Sequence, residues 1–189
     1  DTDSFVAALK HAVRQSPDVI FIGEMRDIET MEAAIHAAET GHLVVSTLHA
    51  LNAMQTVDRI INFFPPSAHS FLQLQMATLL EGVISQRLLP TKDGTARVPS
   101  LELMAATPTV QELLLHGKTR ELYKALKEGG YYGCMTFNQS LKSLLERDLI
   151  TLEDALSAAD SPDELKLELR GISKDAARNF GGSGGGGGG

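Results

Sequence analysis

The 189-residue chain contains a single cysteine, Cys134. That excludes an internal disulfide framework and any cysteine-rich zinc module, and it suits a reducing compartment. A free cysteine of this kind is expected to pack as a small apolar residue in a turn or core. Basic residues are in the minority: 17 Lys and Arg against 24 Asp and Glu leave a formal charge of -7. Nothing in that balance draws the chain to nucleic acid or anionic lipid, and neither is expected as a partner. No apolar run approaches the roughly 20 residues that a spanning helix needs, and no basic, apolar, small-residue leader stands at the start. A soluble protein with no direct membrane span is expected. No repeat of about 20 to 50 residues recurs, which excludes a solenoid.

What is there suffices for one real core and a small second subdomain: 43% of residues are hydrophobic and 22% charged. Both ends read as cut. The chain opens on Asp1, only a few residues before a strong helical pattern, so an upstream segment is expected. The tail Gly181 to Gly189 is glycine except for Ser183 and reads as a disordered linker outside the fold.

Helical and strand patterns alternate along the first third, the habit of a sheet with helices packed on it. Ser4 can cap a helix whose apolar positions Phe5, Ala8, Leu9, Ala12 and Val13 follow the 3.6-residue period, and Pro17 ends it. Asp18 to Ile22, bounded by Pro17 and Gly23, is a short continuous apolar run, as expected of a strand buried on both faces. A helix through Ile28, Met31, Ala34, Ile35 and Ala38 follows, with Gly41 placed as its left-handed C-terminal residue. Leu43 to Leu48 is a second apolar strand. Asn52 can cap a helix through Val57, Ile60 and Ile61, stopped by Pro65 and Pro66. From Ser67 the texture turns helical, with one hairpin, Val83 to Leu89 and Val98 to Met104, around Lys92-Asp93-Gly94. Further helices are expected over 109–116, 119–128, 136–147, 152–158 and 162–169. Thr136 with Gln139, and Thr151 with Asp154, stand at capping spacing.

Chemistry concentrates at two strand ends. The first strand runs into Gly23-Glu24-Met25-Arg26-Asp27, delivering an acid, a base and an acid where the chain leaves the sheet. The carboxyl ends of strands in an open α/β sheet are where ligands bind. An acid there can hold Mg²⁺ through water or polarise a water beside a nucleotide phosphate. Gly23 would let the backbone turn sharply or approach a ligand. The plain alternative is a surface ion pair of Arg26 with Asp27, or of Asp27 with a lysine. The second strand is flanked by His42 and His49, and a parallel neighbour would bring Ser46, Thr47 and His49 to Glu24. A hydroxyl and an imidazole there can orient a phosphate or its water, while a lone histidine is as readily structural. Neither histidine has the spacing of a metal site.

Residues 13–27, reading Val-Arg-Gln-Ser-Pro-Asp-Val-Ile-Phe-Ile-Gly-Glu-Met-Arg-Asp, resemble the long signature shared by type II secretion and type IV pilus ATPases, the GspE/PilT-like family. Ala37 to His42, continuing to Ser46-Thr47-Leu48-His49-Ala50, resembles its histidine box, and Asp58-Arg59-Ile60-Ile61 follows at the family's distance. The resemblance runs on to about Gly171 and is nearest to the twitching-motility retraction branch, PilT and PilU. Assembly and secretion members carry two Cys-x-x-Cys pairs that this chain lacks. Retraction members carry Ala-Ile-Arg-Asn-Leu-Ile-Arg-Glu, whose place is taken here by Thr109 to His116 without either arginine.

The resemblance implies an α/β fold: a partial RecA-like core over 1–104, a mostly helical C-terminal subdomain over 105–172, and a disordered tail over 173–189. It implies ATP hydrolysis with Mg²⁺ in a cytoplasmic homo-hexamer, peripheral at the inner membrane. The expected partners are a pilus platform protein and a second retraction ATPase. Glu24 takes the Walker B place and holds Mg²⁺ indirectly, and His42 and His49 take the histidine-box places. Gly23, Glu24, Arg26, Asp27 and Thr47 lie with the nucleotide, and Arg26 pairs with a neighbouring carboxylate or with the adjoining subunit. The phosphate-binding pattern Gly-x-x-x-x-Gly-Lys-[Ser/Thr] occurs nowhere, so the chain alone is expected to bind ATP poorly and hydrolyse it negligibly. A pilus-assembly or secretion ATPase, and a non-catalytic ring or adaptor subunit, are the alternatives.

Overall fold

The computed structural model describes Ala8 and residues 11–180, with side chains as far as 171. Ser4, Phe5 and Leu9 of the first expected helix, and the glycine-rich tail, lie outside the described residues; Ala8 and residues 11–13 are helical. Packing groups the chain into two compact units, Asp1–Ser85 with Glu102–Met135, and Gln86–Leu101 with Thr136–Gly189.

In the first unit, β1 (Val19–Ile22) and β2 (Leu43–Ser46) pair in parallel, Val19 beside Leu43 and Ile22 beside Ser46. Parallel neighbours need a crossover of a dozen or more residues, and α1 (Ile28–Glu39) supplies it. Asp27 starts α1, its carboxylate accepting the Thr30 N–H at 2.7 Å. At the other end Gly41 adopts φ +91°, where its N–H reaches Ala38 O and the His42 N–H reaches Ala37 O. That pair of bonds is the Schellman stop, which closes the last carbonyls and needs a left-handed residue. α1 buries Met31, Ala34 and Ala37 at helical spacing, and the last two pack with Ile20 and Ile22.

The opposite sheet face differs from expectation. Phe21 is 69% exposed and Val45 45%, with Val19 and Leu43 also open. A run apolar at every position carries no period-2 alternation to tell a covered face from an open one, so the sequence points to two buried faces. Among the described residues only one is covered.

Asn52 caps α2 (Ala53–Asn62), accepting the Gln55 N–H at 2.9 Å, and α2 ends ahead of Pro65. A 3-10 turn, Pro66–Ala68, leads into α3 (His69–Leu79). α4 (Pro108–Leu115) begins with Pro108 at the position where proline costs the helix no hydrogen bond, and α5 (Leu122–Glu128) follows a 3-10 turn at Thr119–Glu121. Their apolar faces meet in one cluster that includes Val57, Leu72, Met76, Val110, Leu114 and Leu126. Cys134 is buried in it, as a small apolar residue would be.

β3 (Gly82–Pro90) and β4 (Arg97–Ala105) pair as the expected hairpin, closed where the Thr91 N–H meets Ala96 O. In the second unit, α6 (Phe137–Glu146) starts with a complete capping box from Thr136 and Gln139, and α7 (Leu152–Ala158) is capped by Thr151. Leu141, Leu144, Ile150, Ala155 and Leu165 form the core with Leu89. The Arg87 guanidinium lies 3.8 Å above the Phe137 ring, donates to Ala158 O and pairs with Asp160. α8 (Pro162–Phe180) runs well past Leu169, where the sequence suggested its end. No proline interrupts residues 170–180, and the lone Gly171 costs only about 1 kcal/mol inside a helix.

Candidate functional site

The carboxyl ends of β1 and β2 are tied to one another beyond the last ladder pair. The Thr47 hydroxyl donates to Gly23 O at 2.5 Å, and the Met25 N–H donates to Thr47 O at 3.3 Å. These cross-strand bonds set Glu24, Arg26 and His49 at one sheet edge. Arg26 Nε donates to Glu24 Oε2 at 2.7 Å, and Arg26 Nη2 stands 2.6 Å from the same oxygen. His49 Nε2 lies 3.0 Å from Glu24 Oε1. Both carboxylate oxygens of Glu24 are therefore engaged, by residues from two different segments.

The Arg26 hydrogen bond and charge hold the Glu24 carboxyl below its ordinary value, helped by the charges of His49 and of Arg59 on α2. The same bond raises the Arg26 guanidinium further. Arg26 thus pairs with Glu24, not with Asp27 as the plain surface alternative had it. Asp27 is spent on the α1 cap, and the Thr30 N–H lowers its carboxyl. Gly23 has no left-handed φ, and a Cβ there would meet nothing within 4 Å, so this chain's own packing does not demand a glycine.

His42 is not brought to the group. It precedes Leu43, which pairs with Val19, at the end of the sheet away from Glu24. There its Nδ1 lies 3.0 Å from Ala37 O and 3.2 Å from the Thr40 hydroxyl, closing the end of α1. Ser46 Oγ is buried with no hydrogen-bond partner. Among the described residues no three of His, Cys, Asp and Glu cluster as a metal site.

One contributor escaped sequence reading. Glu102 on β4 is 3% exposed, and its Oε1 accepts the Ala53 N–H at the start of α2 at 2.6 Å. The available signal was its place in the strand: Ser100, Glu102 and Met104 alternate as inward positions, so a carboxylate stands in the buried register.

The chemistry of the site is that of a carboxylate kept ionised at a strand end, flanked by a guanidinium and an imidazole. The family model described as type II/IV secretion system protein matches residues 2–141. The chain is 44% identical over 177 residues to the type IV pilus ATPase PilU of Pseudomonas aeruginosa, covering 93% of this chain and 46% of that protein. It is 40% identical over 163 residues to the type IV pilus retraction ATPase PilT of the same organism, covering 86% of this chain and 47% of the relative. A crystal structure of the pilus retraction motor PilT with bound ADP superposes with a TM-score of 0.79 at 43% identity, over 88% of this chain and 46% of that one. The chain spans less than half the length of these relatives. It belongs to the type II/IV secretion system protein family, in its GspE/PilT-like branch.

Proposed function

We propose that the chain is the C-terminal part of an ATP-hydrolysing motor that retracts type IV pili. In this reading it acts as a homo-hexamer on the cytoplasmic side of the inner membrane, against a pilus platform protein and beside a second retraction ATPase. The observation that carries the reading is Glu24, at the end of a parallel strand, with Arg26 and His49 on its two oxygens. An ionised carboxylate there can organise the water shell of Mg²⁺. Because both oxygens already have side-chain partners, Glu24 suits a water-mediated hold better than direct ligation. Mg²⁺ bound with ATP would neutralise phosphate charge. Thr47 and Arg26 fix the carboxylate's position, and His49 links it to the loop that leads into α2. His42 serves at a distance, through the end of α1, and Asp27 through its start.

The sheet supports an incomplete core. Residues 43–48, in and just beyond β2, line a groove of about 510 Å³ together with residues 82–84, Met31, Ile60 and Met76. An extended apolar strand parallel to β2 fits such a slot, since parallel strands are stable with both edges and both faces covered. The proposed occupant is the P-loop-bearing half that the relatives' length leaves room for. On this reading residues 1–104 derive from the RecA-like core and 105–172 from the helical C-terminal subdomain. The absence of Cys-x-x-Cys pairs favours retraction over assembly or secretion.

The test joins this chain to a P-loop-bearing upstream half and measures phosphate release. Turnover is expected, with Glu24→Gln lowering it by roughly a hundredfold or more while hexamers persist in sedimentation. Normal turnover in that variant would overturn the Walker B role. No turnover in the joined protein would favour a ring or adaptor subunit.

A further inference from the structure

We propose that Glu102 is a positioning residue for the Glu24 and His49 pair, acting through the first turn of α2. The proposal rests on that pair being the working site.

A carboxylate in a protein interior is costly unless hydrogen-bonded, and an apolar side chain would suit the layer that Met104 occupies. Glu102 instead places Oε1 2.6 Å from the Ala53 N–H, one of the orphan donors at the positive end of a helix. Helix initiation alone does not call for it, because Asn52 already caps α2 through the Gln55 N–H. What the bond adds is location. The segment between β2 and α2 is held at its near end by Thr47 on Gly23 and Met25, and at its far end by Glu102 on Ala53. Ala53 is itself fully buried, so that end is anchored in the core. His49 hangs between the two anchors, with its side chain 81% exposed and its Nε2 on Glu24 Oε1. An exposed imidazole has little packing to hold it, so its aim is set by where its backbone is pinned.

The experiment reads His49 directly in this chain by NMR. Glu24→Gln should displace the His49 ring resonances. In a Glu102→Leu background that displacement should shrink by about threefold or more, the signature of lost coupling in a double-mutant cycle. Glu102→Gln keeps a carbonyl oxygen for the Ala53 N–H and should restore it. Should Glu102→Leu fail to fold, Ala53→Pro removes the donor instead, proline being favoured at the first helical position and Asn52 already extended. The same shrinkage is expected. Undiminished displacement in both the Glu102→Leu and Ala53→Pro backgrounds would overturn the positioning role and leave the ATPase reading intact. Displacement absent from the unchanged background would overturn the pair, and the proposal with it. Loss of turnover in the joined protein is read separately by phosphate release.

Discussion

His49 Nε2 meets Glu24 Oε1 at 3.0 Å, although the two residues follow different strands of a parallel pair. The meeting is a product of register. Ile22 pairs with Ser46, so the residues just beyond emerge side by side, and Thr47 ties them before either strand can diverge. A shift of β2 by one residue would send its side chains to the opposite face and separate the pair.

Removing the guanidinium should be visible on the carboxylate. Arg26 is the leading cause of the depressed Glu24 carboxyl, so Arg26→Ala should move the Glu24 titration midpoint upward. Carboxyl-carbon NMR across pH 2 to 6 reads this residue by residue. An unchanged midpoint would show that Arg26 leaves Glu24 in solution.

Acid should act on the start of α1 in a defined direction. The folded Asp27 carboxyl lies below its ordinary value, so its capping contribution is fully present above about pH 4, the unfolded value, and fades as pH falls through the lower folded one. Hydrogen exchange of the Thr30 amide should stay well protected from pH 7 to 5 and lose protection below about pH 4. Asp27→Asn, which retains a side-chain oxygen without the charge, should flatten that response.

Gly41→Ala should loosen the end of α1 and His42 with it. An alanine at φ +91° is strained, by roughly 1 to 2 kcal/mol. Denaturant unfolding should report the loss, and exchange at the Gly41 and His42 amides should report where it falls. A variant as stable as the parent would mean that the Schellman stop contributes nothing.

Phe137→Ala should be the most damaging single change in the second unit. The ring is fully buried, and truncating a buried phenylalanine costs about 3 to 5 kcal/mol. It also takes away the face on which the Arg87 guanidinium rests. Arg87→Lys keeps the charge and loses the planar fork, so a smaller loss is expected. Thermal unfolding of each variant, followed by side-chain signals of the second unit, compares the two losses.

Where structure is dictated locally, it was legible. Asn52 before an apolar period, Thr136 three residues ahead of Gln139, and Gly41 after the last helical turn each form their bonds within a few residues. The carboxylate and its histidine were legible too, because strand ends in a parallel sheet share an edge. Asp27 shows how such signals compete: an acid after a strand and an acid before a helix are the same residue, and the cap holds it. The bond of Glu102 to Ala53 and the open face of Phe21 and Val45 depend on elements distant in sequence or on what covers the sheet. No local pattern encodes them.

The interleaving of the two packing units along the chain has a consequence for how the protein can be divided. The chain passes from one unit to the other at residues 85, 101 and 135, with β3 and β4 each contributing to both. A protease nick at residue 101 would leave neither unit whole in one fragment, since each draws on residues from both sides of the break. Recombination between relatives faces the same arithmetic: taking one unit whole from one parent and the other whole from the second requires crossovers at residues 85, 101 and 135 together.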